Sequence, residues 1–214
     1  MPTATFYATN VTASASAFGG DVGVGVTTWN GTEGNAAGPV DTTYATPAAP
    51  LTGTSWVINN LVFGTWINEA DATSTISQTI PETATLTGLS VGIWAYTSVA
   101  GLLAYGRVNS ARTNASAGTR EGGFSLSTAP LALLSMNSGS SLNGIFGNRV
   151  STPIVVSDIR GADFKIVMGL LQNDNNGGAG RTPFVDAMYV TATWEADGFR
   201  SRAGRPIGIA RSSR

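Results

Sequence analysis

Apolar residues in this chain recur with a period of two far more often than with the 3.6-residue period of a helix. Val22, Val24 and Val26 alternate with Asp and Gly in DVGVGV. The segment SWVINNLVF (55–63) is aromatic and β-branched. STISQTI places Ile76, Gln78 and Ile80 on one face of an alternating strand. In TLTGLSVGIWAY, Leu89, Val91, Ile93 and Ala95 face one way, and Gly92, Trp94 and Tyr96 the other. FKIVMGLL (164–171) is apolar on both faces, the mark of a central strand covered on both sides. FVDAMYVTATWE (184–195) puts Met188, Val190, Ala192 and Trp194 on one side and Val185, Ala187, Tyr189, Thr191 and Thr193 on the other. Alternation of this kind predicts half-buried strands.

Turn-forming residues separate these runs. Pro81 opens PETATLTG, and Pro153 precedes the strand-rich final third. NDNNGGAGRTP (173–183) concentrates residues that tolerate positive φ, and reads as a long hairpin loop between two strands. SDIRGADF (157–164) has room for one short helical turn, and residues 108–123 read as a polar loop. Many short strands with turn signals predict an all-β protein: an antiparallel β-sandwich of jelly-roll-like form, with extended N- and C-terminal arms. On this reading residues 1–20 are an N-terminal arm or edge strand, 21–197 the sandwich domain, and 198–214 an Arg-rich C-terminal arm.

Composition narrows the chemistry. None of the 214 residues is His or Cys. The usual acid/base near neutral pH, the soft metal ligands and disulfide cross-links are therefore all missing. Neither a cofactor nor a catalytic constellation is expected. Hydrophobic residues make up 42% of the chain and charged residues 12%, about half the usual charged share. A weakly charged surface on a folded chain suggests that much of it meets protein. The charge is also divided. Residues 1–197 carry all 13 acids and 7 of the 12 bases, a balance of −6, while residues 198–214 carry five Arg and no acid. The N-terminus has neither the basic nor the apolar region of a signal peptide, and no run of 18 apolar residues occurs. Synthesis in a cytoplasm, and retention there until assembly, is the expectation.

Candidate sites can be weighed against that background. Glu69, Asp71, Glu82, Glu121, Asp158, Asp163, Asp174 and Asp186 are available for two-carboxylate hydrolysis, but no spacing singles out a pair. Asp186 sits inside an apolar strand, which favours a carboxylate bonded to backbone N–H groups. Asp174 with Asn173, Asn175 and Asn176 offers oxygen ligands, but lacks the spacing of a calcium loop. Lys165 lies within a strand and makes a poor base for a Ser. The sequons at Asn10, Asn30 and Asn114 are ordinary in so Ser/Thr-rich a chain. Trp29 and Trp66 flank polar loop sequence and are the candidate glycan contacts, whereas Trp94 and Trp194 lie inside strands and read as core. In the last segment, Arg200, Arg202, Arg205, Arg211 and Arg214 with Ile207 and Ile209 form a candidate assembly arm. Its charge matches the acidic body of a neighbouring subunit; a disordered tail is the second reading, and nucleic-acid binding the third, since the aromatic interleaving of single-strand binders is missing.

The order of short motifs resembles that of phage and prophage virion proteins of the tail or minor structural type. Such chains run as a Trp-Asn start, a D-x-x-Y-A-T segment, an I-P-x-x-A-x-L-x-G strand, a late S-D…D-F strand and a closing V-D-A-x-x-V-T strand. The counterparts are Trp29-Asn30, DTTYAT (41–46), IPETATLTG (80–88), SDIRGADF (157–164) and VDAMYVTATW (185–194). The resemblance covers roughly residues 29–195. It departs at 196–214, where the Arg-rich segment is extra, and around Thr65 to Ser74, which reads as inserted. It implies a virion structural protein, tail- or fibre-associated or a capsid decoration. Its partners would be copies of itself, with a trimer the natural guess, and other virion proteins. No catalytic residues carry over. A receptor- or glycan-binding module recognising a host surface glycan is the alternative.

Overall fold

A computed structural model describes residues 1–14, 25–51, 56–58, 60–99, 102–109, 121–129, 133–137, 154–172 and 180–196. The strands in chain order are β1 (Thr3–Ser14), β2 (Gly25–Thr27), β3 (Trp56–Ile58), β4 (Asn60–Asn68), β5 (Asp71–Thr75), β6 (Thr85–Thr97), β7 (Leu102–Asn109), β8 (Glu121–Leu126), β9 (Leu133–Asn137), β10 (Lys165–Gln172) and β11 (Pro183–Glu195). Among the described residues, helical structure amounts to a 3₁₀ turn at Glu33–Ala36 and two single-turn helices, α1 (Ile76–Thr79) and α2 (Val156–Arg160). The all-β, antiparallel expectation holds, and α2 supplies the helical turn expected in SDIRGADF.

The strands join one hydrogen-bonded ladder. β11 pairs with β6 on one edge and β1 on the other; β1 pairs with β4, and β10 with β4, β3 and β7. β5 adds to β4, β8 to β7 and β9 to β6. All pairs are antiparallel except β2 with β3. At the ends of the ladder β8 lies beside β9 and β6, and the Thr97 N–H donates to the Ser127 carbonyl at 3.0 Å.

The predicted alternation in β6 is realised: Leu89, Val91, Ile93 and Ala95 are buried, and Gly92, Trp94 and Tyr96 only partly so. β10 is covered on both faces, with Ile166, Val167, Met168 and Leu170 all buried. The same core takes Phe6, Phe63, Trp29, Trp66 and Phe164.

Four expectations are overturned. Thr3–Ser14 is neither arm nor edge: β1 pairs with β11 over Thr3–Tyr7 and with β4 over Phe6–Ser14, and Phe6, Ala8 and Val11 belong to the core; residues 15–20 lie outside the described residues. The segment 173–183 does not close a hairpin, because β10 and β11 are not neighbours; β4 and β1 lie between them. STISQTI is not a strand. Ile76 and Ile80 are both buried, but α1 brings them to one side as an i, i+4 pair. The Gln78 side chain accepts the Thr75 N–H at 2.8 Å and caps that turn. Finally, Val185 shares the core face with Met188 rather than the face of Ala187. Val185 opposes Ala95 and Ala187 opposes Trp94, so Asp186 is the extra residue of a β-bulge.

Candidate functional site

The bulge organises the molecule's main irregular region. β1 follows β11 only from Thr3 to Tyr7, then diverges along β4 as far as Ser14. A wedge opens between β1 and β11, and residues 29–46 fill it. Trp29 to Thr32 form a tight turn with Asn30 at φ 54° and Gly31 at φ 72°, closed by Thr32 N–H donating to the Trp29 carbonyl at 2.9 Å. Positive φ at both central positions is the type I′ geometry that Asn-Gly favours. Thr32 Oγ1 accepts the Thr46 N–H at 2.8 Å. Gly38 N–H donates to the Ala8 carbonyl at 2.7 Å, and Ala45 exchanges N–H···O bonds of 2.8 and 3.1 Å with Val185. The wedge is thus tied to both strands that border it.

Asp186 is the internal fastener. It is 1% exposed, and its carboxylate accepts the N–H groups of Asp41 at 3.1 Å and Thr42 at 2.9 Å. Thr42 holds φ at 69°, a strained value for a β-branched residue. Burial pushes the Asp186 carboxyl above the usual carboxylate range; the two N–H bonds pull it back in part, and the Asp41 charge adds to the rise. The backbone bonding expected of Asp186 is what the geometry displays.

The remaining described acids are dispersed. Asp158 is buried and accepts the Val155 N–H at 2.8 Å, capping α2. Asp71 is exposed and lowered by the hydroxyls of Ser74 and Thr73 and by the Thr73 N–H. Asp41 is lowered by the Thr43 hydroxyl and N–H. Exposed Glu82 lies 3.7 Å from the half-buried Arg160 in an ion pair. Glu69 and Asp163 are exposed. The Glu121 side chain and Asp174, with its neighbours Asn173, Asn175 and Asn176, lie outside the described residues, as does Asn114. Lys165 is exposed at the start of β10. Among the described residues, no group of three acids is placed to hold a metal ion.

The glycan candidates move inward. Trp29 is 1% and Trp66 5% exposed. Trp66 Nε1 donates to the Phe164 carbonyl at 3.1 Å, and its ring lies 5.7 Å from that of Phe164. Their polar neighbours do not mark a ligand surface: those of Trp29 form the turn that seats it in the core, and Trp66 lies within β4, opposite Ala8. Trp29 is enclosed in the core, and Trp66 meets only the small cavity beside α1 and α2. The assembly-arm residues Arg200, Arg202, Arg205, Ile207, Ile209, Arg211 and Arg214 lie outside the described residues.

Cavities lined by described residues include the following two. A small one of about 280 Å³ lies between α1, α2 and Trp66, with Arg160 at its side donating to the Ser77 carbonyl at 3.0 Å. A larger one of about 630 Å³ lies on the outer face of β1, β11 and β6. Neither is lined by two carboxylates. The larger one is lined by Trp94 and Tyr189, by the hydroxyls of Thr5, Ser90 and Thr191, and by Glu69. Sequence reasoning missed it because Trp94 was read as core. The available signal was the company Trp94 keeps on its face of β6, Gly92 and Tyr96, a set too polar and too open for an interior.

Fold and site together define an all-β protein with a braced wedge and an outward-facing, nearly uncharged cleft. No protein-family model, curated protein or solved structure matches the chain.

Proposed function

We propose that this chain is a structural protein of a bacteriophage virion, tail- or fibre-associated or a capsid decoration, acting through subunit–subunit contacts. One observation carries the reading: segments that bear the resemblance to virion proteins meet in the wedge. The Trp29 turn is joined to Thr46, DTTYAT is joined to the closing strand by Asp186 and Val185, and both pack into one core. A motif set of this kind specifies a scaffold. The low charge and the opposed charges of residues 1–197 and 198–214 supply the means of association. Glycan recognition through Trp29 and Trp66 has no support once both are buried.

The test is a mass measurement by native mass spectrometry, made on the full chain and on a chain ending at Asp197. The full chain is expected as a closed homo-oligomer, with three copies the leading number, and the shortened chain as a folded monomer. A monomeric full chain, or an oligomer that survives the deletion intact, overturns assembly through the arm. Antibody labelling of particles released by the cell that carries the gene then tests the virion assignment, and unlabelled particles count against it.

A further inference from the structure

We infer that the cleft on the outer face of β1, β11 and β6 is a binding site for a neutral saccharide. This site is separate from the buried tryptophans, and it does not depend on the virion role.

Cross-strand pairing builds its floor. Thr5, Thr191 and Ser90 form one row, since Thr5 opposes Thr191 and Thr191 opposes Ser90. Tyr7, Tyr189 and Gly92 form the next, and Ala187 opposes Trp94 beyond it. Thr5 and Thr191 share a hydroxyl–hydroxyl hydrogen bond of 3.0 Å. One of the two protons makes that bond, so the other hydroxyl proton and several lone pairs remain to offer outward. Gly92 is what makes the floor hollow. It carries no side chain at the position between Ser90 and Trp94, beside Tyr189.

The walls are held in place before any ligand arrives. Pro39 and Val40 border one side, where the Tyr189 hydroxyl accepts the Val40 N–H at 3.2 Å. The next two residues are fastened to Asp186. Glu69 borders the cleft from the β4–β5 turn, and its N–H donates to the Thr5 carbonyl at 2.9 Å. A preformed wall avoids an ordering cost on binding. The volume, about 630 Å³, falls within the range of small-ligand sites.

The lining selects the ligand class. Trp94, half-buried on this face, and the margin of the Tyr189 ring, 9% exposed, give the cleft an aromatic surface that suits the C–H bonds of a sugar ring. Three hydroxyls that both donate and accept match a ligand whose own hydroxyls do the same. A single carboxylate, Glu69, accepts from sugar hydroxyls in the stronger charge-assisted form. No Lys or Arg lines the cleft among the described residues, so an anion meets only the Glu69 charge. Neutral sugar is the class that uses every group present.

Calorimetric titration of the purified full chain tests this with maltotriose, cellotriose and chitotriose as neutral probes. Sialyllactose serves as the anionic probe, and a synthetic peptide of residues 198–214 as the cationic one. At least one neutral probe is expected to bind saturably. Trp94→Ala and the exposed-site variant Glu69→Gln should each weaken it about tenfold or more, with Trp94→Phe restoring part of the loss. Circular dichroism of each variant establishes that it is folded. The inference is overturned if no neutral probe binds, if affinity is unchanged in folded Trp94→Ala and Glu69→Gln, or if sialyllactose binds as well as the neutral sugars. It is equally overturned if the 198–214 peptide alone occupies the cleft, which would make this the arm's docking site. A failure of oligomerisation leaves all these readouts unaffected.

Discussion

Single side chains set the stability of the wedge. Trp29 fills core space, so Trp29→Ala should cost about 3–5 kcal/mol in urea unfolding. A Trp on a ligand surface would instead lose binding with little change in stability. Asp186 makes a more specific prediction. Its carboxyl titrates above the ordinary range in the folded chain, chiefly because it is buried. The folded state therefore binds the proton more tightly than the unfolded state does. The corresponding stability is fully present below the unfolded-state value and is lost as pH rises through the raised native value. Comparing urea midpoints of wild type and Asp186→Asn from about pH 4 upward, the wild-type advantage should shrink as pH rises. An advantage that grows with pH would mean that the N–H bonds from Asp41 and Thr42 outweigh burial. Asp41 and Asp71 act in the opposite sense, their contribution vanishing as pH falls, because hydroxyl and N–H donors lower both. The Asp71 contribution is common to both proteins and cancels, whereas the comparison reads Asp186 together with its coupling to Asp41.

At the scale of elements, the β1–β4 ribbon turns over as a unit. Phe6 and Ala8 bury even-numbered positions of β1, but beyond them Val11 is the buried residue. On β4, Leu61 and Phe63 are buried before the change, and Trp66 and Asn68 after it. Both strands switch face together, at Thr9–Asn10 and at Gly64–Thr65. Thr65 holds φ at 54° there, and the Thr9 hydroxyl donates to its carbonyl at 2.9 Å. A β-branched residue in the left-handed region carries strain of about 1–2 kcal/mol. Thr65→Asn relieves it while leaving the backbone acceptor in place, because Asn tolerates that region better. The variant should gain about 1 kcal/mol, read as a higher urea midpoint at unchanged slope. A loss of stability would show that Thr65 is not strained at this position. α1 makes a related point: a short apolar spacing fits a strand and a helix equally until a cap such as Gln78 decides between them.

For the whole molecule, the predicted behaviour follows from charge. A balance of −6 over residues 1–197 faces five Arg in residues 198–214. If these meet between subunits, raising salt from about 0.05 to 1 M shortens the screening length several-fold and should lower the oligomer mass. Light scattering across that range reads the effect. A mass that holds or rises with salt would place the association in apolar contacts instead. With no Cys or His in the chain, the same measurement should be indifferent to reductant. Any pH response should lie in the carboxylate range.

Alternation in β6, β10 and β11 was legible from residue order because a period of two has one pairing geometry, and the composition set the chemical limits. The all-β class and the backbone-bonding role of Asp186 follow from those two facts. Long-range placement was a different matter. Whether an N-terminal strand lies at an edge or the centre depends on partners far along the chain, here Tyr189 and Trp66. Whether a Trp beside polar residues is buried depends on what its turn or strand packs against, as Trp29 in its turn and Trp66 within β4 show. The cleft likewise exists only through registry. Gly92 becomes a hollow because Tyr189, nearly a hundred positions away, comes to stand beside it. Local pattern determines which way side chains alternate along a strand, and only the tertiary pairing decides what each face meets.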